Sequence, residues 1–125
     1  MAPASAEDLL PLTPAVFHIL VVLAAGESHG YAIMAEVARM TRGRIHLGPG
    51  TLYRSVYKMV ADGLIEPADP SARHDDERRS VYRLSRFGRE VARAEARRLD
   101  TLVREARARG LVDDGAAPRR RSVRP

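Results

Sequence analysis

Residues 48–63, GPGTLYRSVYKMVADG, limit what this chain can become more than any other stretch. Gly48 is placed to cap a helix, Pro49 suits the first helical position, and Gly63 is a stop in the left-handed position just past the end. Between them Leu52, Val56, Met59 and Val60 recur at helical spacing and predict a stripe turned to a core. Thr51, Tyr53, Arg54, Ser55, Tyr57 and Lys58 cover the remaining surface. An ordinary solvated face would carry Glu and Lys at pairing distances. Hydroxyls, rings and positive charge describe a face with something to touch.

The flanking segments predict what this helix packs against. A first helix is expected after Thr13, an N-cap, with Pro14 at the first helical position. Val16, Ile19, Leu20 and Leu23 form its stripe, broadened by Phe17, Val21 and Val22, and Gly26 ends it. A second helix is expected over 29–40, capped by Ser28, with Tyr31, Met34, Val37 and Ala38 or Met40 facing inward. Gly43 breaks it, and Arg44–Leu47 suits a short extended piece. Residues 64–68 and 79–84 read as strands, joined by a polar loop longer than a tight turn. Ser85 can cap a last helix running to about Arg109 and stopped by Gly110.

The order is three helices, a hairpin and one long helix. The expected fold is mainly α with a small β-hairpin: a winged helix-turn-helix over 12–84 plus a C-terminal dimerisation helix over 85–110. Residues 1–11 are Ala- and Pro-rich and expected to be loose, and 111–125 to form a disordered basic tail.

Composition narrows the function. The chain of 125 residues has no cysteine, which removes disulfides and thiolate metal sites. The apolar run 17–25 is about half the length a bilayer needs, so a soluble, cytoplasmic protein without membrane contact is expected. The net charge of +5 favours a polyanionic partner, but its distribution is uneven. Residues 1–48 carry three Arg against four acids, residues 49–84 six basic against six acidic groups, and residues 85–125 twelve Arg against six acids. Four of those last arginines lie in the tail, at 119, 120, 121 and 124. His18, His29, His46 and His74 are scattered, and His18 reads as a core histidine. No motif for catalysis, nucleotide binding or a metal is present, so neither an enzyme nor a cofactor is expected.

On the third helix of this topology, a DNA groove is the natural partner. Gly48 and Gly50 would let a phosphate approach free amides at the positive end of the dipole. Thr51 suits a phosphate or a thymine methyl, Arg54 the edge of a guanine, and Tyr53 and Lys58 the backbone, with Ser55 also counted among the DNA-binding residues. Tyr53 could equally pack on the second helix, and Lys58 could simply be solvated. On the second strand Tyr82 and Leu84 are expected to cover the core. Arg78 and Arg79 lie where a wing meets phosphates, yet Asp75, Asp76 and Glu77 precede them and offer local ion pairs instead. Along the last helix, Val91, Leu99, Leu102, Val103 and Ala106 form an apolar stripe longer than a small domain requires. It predicts dimerisation, the alternative being packing on the chain's own first helix.

Three stretches, HGYAI (29–33), GPGTLYRSVYKMVADGLIE (48–66) and RRSVYRLSRFGRE (78–90), resemble the signatures of PadR-family transcriptional regulators, in family order and spacing across roughly 12–108. The single C-terminal helix is similar to that of the smaller subfamily. The resemblance implies a winged-helix homodimer that binds a palindromic operator in double-stranded DNA, usually as a repressor, and that a small-molecule effector releases in some members. Under it, Tyr31 falls on the family's tyrosine near the second helix, Thr51, Tyr53 and Arg54 on the recognition helix, and Arg78, Arg79 and Tyr82 on the wing. Tyr57 and Val60 depart from acidic positions of the pattern, and the lack of Trp argues against an aromatic drug sandwich. The competing expectation is a winged-helix module for protein–protein contact without sequence-specific DNA binding.

Overall fold

A computed structural model of the chain describes residues 5–69 and 80–113. Two compact units divide it, Met1–Glu95 and Ala96–Pro125. In the first unit, α1 (Pro14–Ala24) starts where Thr13 accepts a hydrogen bond from the Val16 amide at 3.2 Å, with Pro14 in the first turn. Ile19, Leu20, Val22 and Leu23 are buried, whereas Val21 faces outward. Gly26, at φ 151°, follows the end of the helix.

Ser28 and His29 form a two-residue strand, β1, and His29 rather than Ser28 caps α2 (Gly30–Met40), accepting from the Ala32 amide at Nδ1. The helix starts at Gly30, so the cap position falls on His29, one residue beyond Ser28. The inner face of α2 is Gly30, Ile33 and Val37, with Met34 and Met40 partly buried, while Tyr31 is 53% exposed. After α2 the backbone turns through Arg42 and Gly43, both at positive φ. The Thr41 hydroxyl knots this turn, donating to the Val37 carbonyl at 2.9 Å and accepting from the Ile45 amide at 3.0 Å. The extended piece expected over Arg44–Leu47 therefore forms no strand, although Leu47 is buried.

Helix α3 (Pro49–Ala61) has Gly48 as N-cap and ends in a left-handed Gly63 at φ 79°, with the Leu64 amide reaching back to the Met59 carbonyl at 2.9 Å. Leu52, Val56 and Met59 are almost fully buried. Val60 is 36% exposed and lies outside the stripe in which its spacing placed it. Strands β2 (Ile65–Pro67) and β3 (Val81–Leu84) pair antiparallel, Ile65 with Leu84 and Glu66 with Arg83. Because β1 also pairs with β3, the sheet has three strands in the order β1-β3-β2 instead of a two-stranded hairpin. Tyr82 is buried, Leu84 packs on the core, and Arg83 faces out to pair with Glu66 at 2.9 Å.

Residues 5–11 are ordered against this core rather than loose. A 3-10 turn over Ala6–Leu9 is closed by Ser5 and Asp8, and Ala6, Leu9, Leu10 and Leu12 pack on the buried cluster. The Leu12 amide donates at 3.0 Å to Glu95, whose side chain is 1% exposed. His18 is half-buried on the rim of α1, its Nδ1 donating to the Pro14 carbonyl at 2.6 Å.

Helix α4 (Arg86–Ala108) begins in the first unit, where Ser85 organises its start. The Ser85 hydroxyl accepts from the Gly88 amide at 2.8 Å and donates to the carbonyls of Gly63 and Leu64. The backbone of α4 presses directly on Leu64: a Cβ on Gly88 would lie 1.9 Å from the Leu64 carbonyl oxygen. Within the second unit α4 closes through Gly110 at φ 82°, with the Leu111 amide bonded to the Ala106 carbonyl at 2.9 Å. No helix among the described residues is long and apolar enough to cross a membrane.

Since neither backbone can yield cheaply, Gly88→Ala is expected to destabilise the fold by about 3 kcal/mol or more. A thermal or urea melt checks this, and a wild-type midpoint would contradict the close crossing.

Candidate nucleic-acid interface

The first turns of α3 carry a small polar constellation above an apolar underside. Leu52 and Val56 anchor the helix with no exposure, and Thr51, Arg54, Tyr57 and Lys58 lie exposed around them. Thr51 and Arg54 are both exposed and lie three residues apart, with Arg54 Nη2 donating to Thr51 Oγ1 at 3.3 Å. Gly50 leaves room for this: a Cβ there would sit 3.5 Å from Arg54 Nη1, in ordinary contact. Gly48 offers no side-chain cap, and Pro49 contributes no N–H. The Leu52 amide closes the first helical bond onto the Gly48 carbonyl at 2.9 Å, which leaves the Gly50 and Thr51 amides at the positive end of the dipole. Cationic side chain, hydroxyl and open amides converge on one end of the helix, an arrangement suited to anionic oxygen and to hydrogen-bond acceptors on a base edge.

The sequence-predicted residues divide into groups. Gly50, Thr51 and Arg54 share the open end of α3. Ser55 is half-buried one position on. Lys58 is exposed and pairs with Asp62 at 3.3 Å, a partner its spacing offers on the next turn. Being exposed, this ion pair costs little to exchange for a phosphate. Tyr31 is exposed at the start of α2, next to Gly30, which packs on Tyr53. Arg78 and Arg79 lie outside the described residues, as do Asp75–Glu77.

Tyr53 occupies the packing position that was the alternative to a backbone contact. Its ring lies against the start of α2, its hydroxyl is buried, and a Cβ on Gly30 would meet that oxygen at 2.6 Å. In this conformation Tyr53 sets the spacing between α2 and α3, and a phosphate has no access to its oxygen. Gly30 is the functional neighbour that periodicity misses. Its signal was a glycine spent inside a first helical turn, where it weakens the helix and so needs another reason to be there.

The predicted dimerisation residues also separate. Val91 is fully buried in the core of the first unit and cannot serve as interface surface. In the second unit Leu102 is 57% exposed and Val103 40%, while Leu99 and Ala106 are half-buried. Among the described residues no group of three or more His, Asp or Glu side chains is placed to hold a metal ion. The Arg39 guanidinium, in direct contact with Glu36, holds that carboxyl below its ordinary range, but this exposed pair lies at the far end of α2.

Comparison with known proteins points the same way as the geometry. The sequence model of the transcriptional regulator PadR-like family matches residues 19–94. Transcriptional regulator Rv3488 of Mycobacterium tuberculosis is 34% identical over 88 residues, covering 70% of this chain and 78% of that protein. A 37.1 kDa protein of transposon TN4556 from Streptomyces fradiae is 33% identical over 100 residues, covering 80% of this chain. That stretch is 25% of the transposon protein, so the chain spans about a quarter of this relative's length. A PadR family transcription regulator from Clostridium difficile superposes with a TM-score of 0.61 at 20% identity, over 77% of this chain and 97% of that one, a likeness of fold.

The Gly30–Tyr53 contact makes a specific expectation. Gly30→Ala should cost about 1–3 kcal/mol by forcing the phenol aside, and adding Tyr53→Phe should recover part of that loss. Chemical denaturation of the two single variants and the double variant measures the coupling; strictly additive losses would contradict the contact.

Proposed function

We propose that this chain, which belongs to the PadR-like family of transcriptional regulators and is therefore a regulator and not an enzyme, reads DNA with the first turns of α3. The carrying observation is the split of that helix: Leu52, Val56 and Met59 are buried, while Arg54 and Thr51 stand exposed and bonded to each other at its open end. In the major groove Arg54 forks onto a guanine edge, Thr51 and the amides near Gly50 meet phosphate, and Lys58 leaves Asp62 for the backbone. Tyr31 flanks the same groove from α2, and Arg78 and Arg79 meet the phosphates beside it. Tyr53 acts indirectly, by holding α3 at its distance from α2.

In this reading the chain works as a homodimer on a palindromic operator and represses, with release by a small-molecule effector. Two copies suit the fold because Leu102 and Val103 expose apolar surface on α4 that a partner helix would cover. Leu99 and Ala106 flank that surface; Val91, being core, does not contribute. A second reading, a module that binds another protein, is favoured by one observation. Tyr57 is 53% exposed on α3 beside the exposed Val60, an apolar pair that DNA contact does not use.

Arg54→Ala should weaken binding to operator DNA by about 1–3 kcal/mol and relax preference at one or two base pairs. Fluorescence anisotropy against DNA upstream of the chain's own gene checks this. Equal losses on operator and random DNA would remove the base-reading role, and binding indifferent to salt would favour the protein-binding module. Leu102→Glu should shift the chain toward monomer in analytical ultracentrifugation, and an unchanged sedimentation coefficient would exclude this face from the dimer.

A further inference from the structure

The start of α4 carries a charge arrangement that works against its own helix. Arg86, Arg89 and Arg93 are exposed and spaced by three and four residues, so they share one face, opposite the buried Gly88, Val91 and Glu95. Like charges at these spacings repel one another and weaken a helix. The first turn also contains no acid, although the positive end of the helix dipole lies there and disfavours cations. An ordinary solvated face is balanced, and α4 is balanced farther along, where Arg104 pairs with Asp100 at 2.8 Å and Arg109 with Glu105. The three arginines pair with no carboxylate among the described residues, even though Glu90 follows Arg86 by four positions.

We infer that Arg86, Arg89 and Arg93 form a sequence-independent phosphate stripe for a second segment of duplex DNA. Bound phosphates would relieve the mutual repulsion and the unfavourable dipole together, and guanidinium forks match phosphate oxygens in pairs. From Arg86 to Arg93 the helix rises about 10 Å, the reach of about three successive phosphates on one strand.

The position of the stripe assigns it to a different stretch of DNA from the one at α3. Ser85 donates to the Gly63 carbonyl, so α4 begins beside the C-terminal end of α3. Thr51 and Arg54 lie toward the other end of that helix, whose 13 residues span about 20 Å. The start of α4 is thus separated from Thr51 and Arg54 by most of the length of α3. The charge distribution agrees: residues 49–84 are balanced, and the arginine excess falls after residue 84. The choice of DNA over an acidic protein rests on the DNA-reading role proposed for α3.

The test uses the full chain, loaded on an immobilised duplex carrying DNA upstream of its own gene, washed, and offered a labelled random duplex. Wild type is expected to capture the labelled duplex. The triple variant Arg86→Gln, Arg89→Gln, Arg93→Gln should lose about tenfold of that capture while loading on the first duplex as before. Its melting temperature should equal or exceed that of wild type, because repulsion is removed. Wild-type levels of capture by the variant, no capture by wild type, or retention of a labelled acidic peptide in place of the duplex would each overturn the stripe. The loading step reports separately on α3: equal loading on upstream and random DNA would defeat that reading, while the difference between wild type and variant would still score the stripe.

Discussion

The crossing of α4 over the chain at Leu64 is the contact on which the other positions depend. There the Leu64 carbonyl sits under Gly88 with no room for a Cβ, and the Ser85 hydroxyl bonds both strands of the crossing. Three elements meet within those few residues. Helix α3 has just ended in the left-handed Gly63, β2 is about to begin, and α4 leaves the end of β3. The Ser85 amide completes the knot by donating to the Leu64 carbonyl at 3.1 Å. A residue with a side chain at 88 would push α4 away from the sheet and free the C-terminal end of α3. The surface that α3 presents at its other end is therefore fixed by a backbone contact, and backbone contacts in a packed interior are stiff.

Helix α3 changes character along its length. The stripe of Leu52, Val56 and Met59 holds it to the core, and Tyr53 wedges it against Gly30 of α2. Only the open end near Gly50, Thr51 and Arg54 combines exposed cation, hydroxyl and uncapped amides. Beyond it Lys58 is tied to Asp62, and Tyr57 and Val60 face outward without charge. The proposed groove contact is confined to the first two turns on the strength of this gradient. The net positive charge lies elsewhere, since residues 49–84, which include α3, β2 and β3, are electrically balanced.

Much of this was legible in the sequence because the strongest signals are local. Thr13 with Pro14, Gly48 with Pro49, Gly63, Ser85 and Gly110 each mark a helix boundary through steric or hydrogen-bonding rules that need no tertiary context. What periodicity could not supply are features set by distant partners. Two residues, Ser28 and His29, are too few to show alternation, and they are a strand only because β3 lies alongside. The Thr41 hydroxyl holds 41–45 as a turn where apolar residues alone suggested extension. Tyr31 matches an inward spacing yet faces out, because Ile33 and Val37 fill the core instead. Val91 fits the apolar spacing expected of a dimer face yet is buried in the core of the first unit, and spacing alone does not tell a core position from a surface one.

Base reading by the open end of α3 is the proposal from which the rest of the functional picture follows. Iterative selection of the purified full chain against a pool of random duplexes tests it most directly. Convergence is expected on one motif with two inverted half-sites, each containing a guanine whose replacement lowers recovery. Recovery of DNA with no enriched sequence after repeated rounds would contradict it, and would leave the chain a regulator that acts through some other surface.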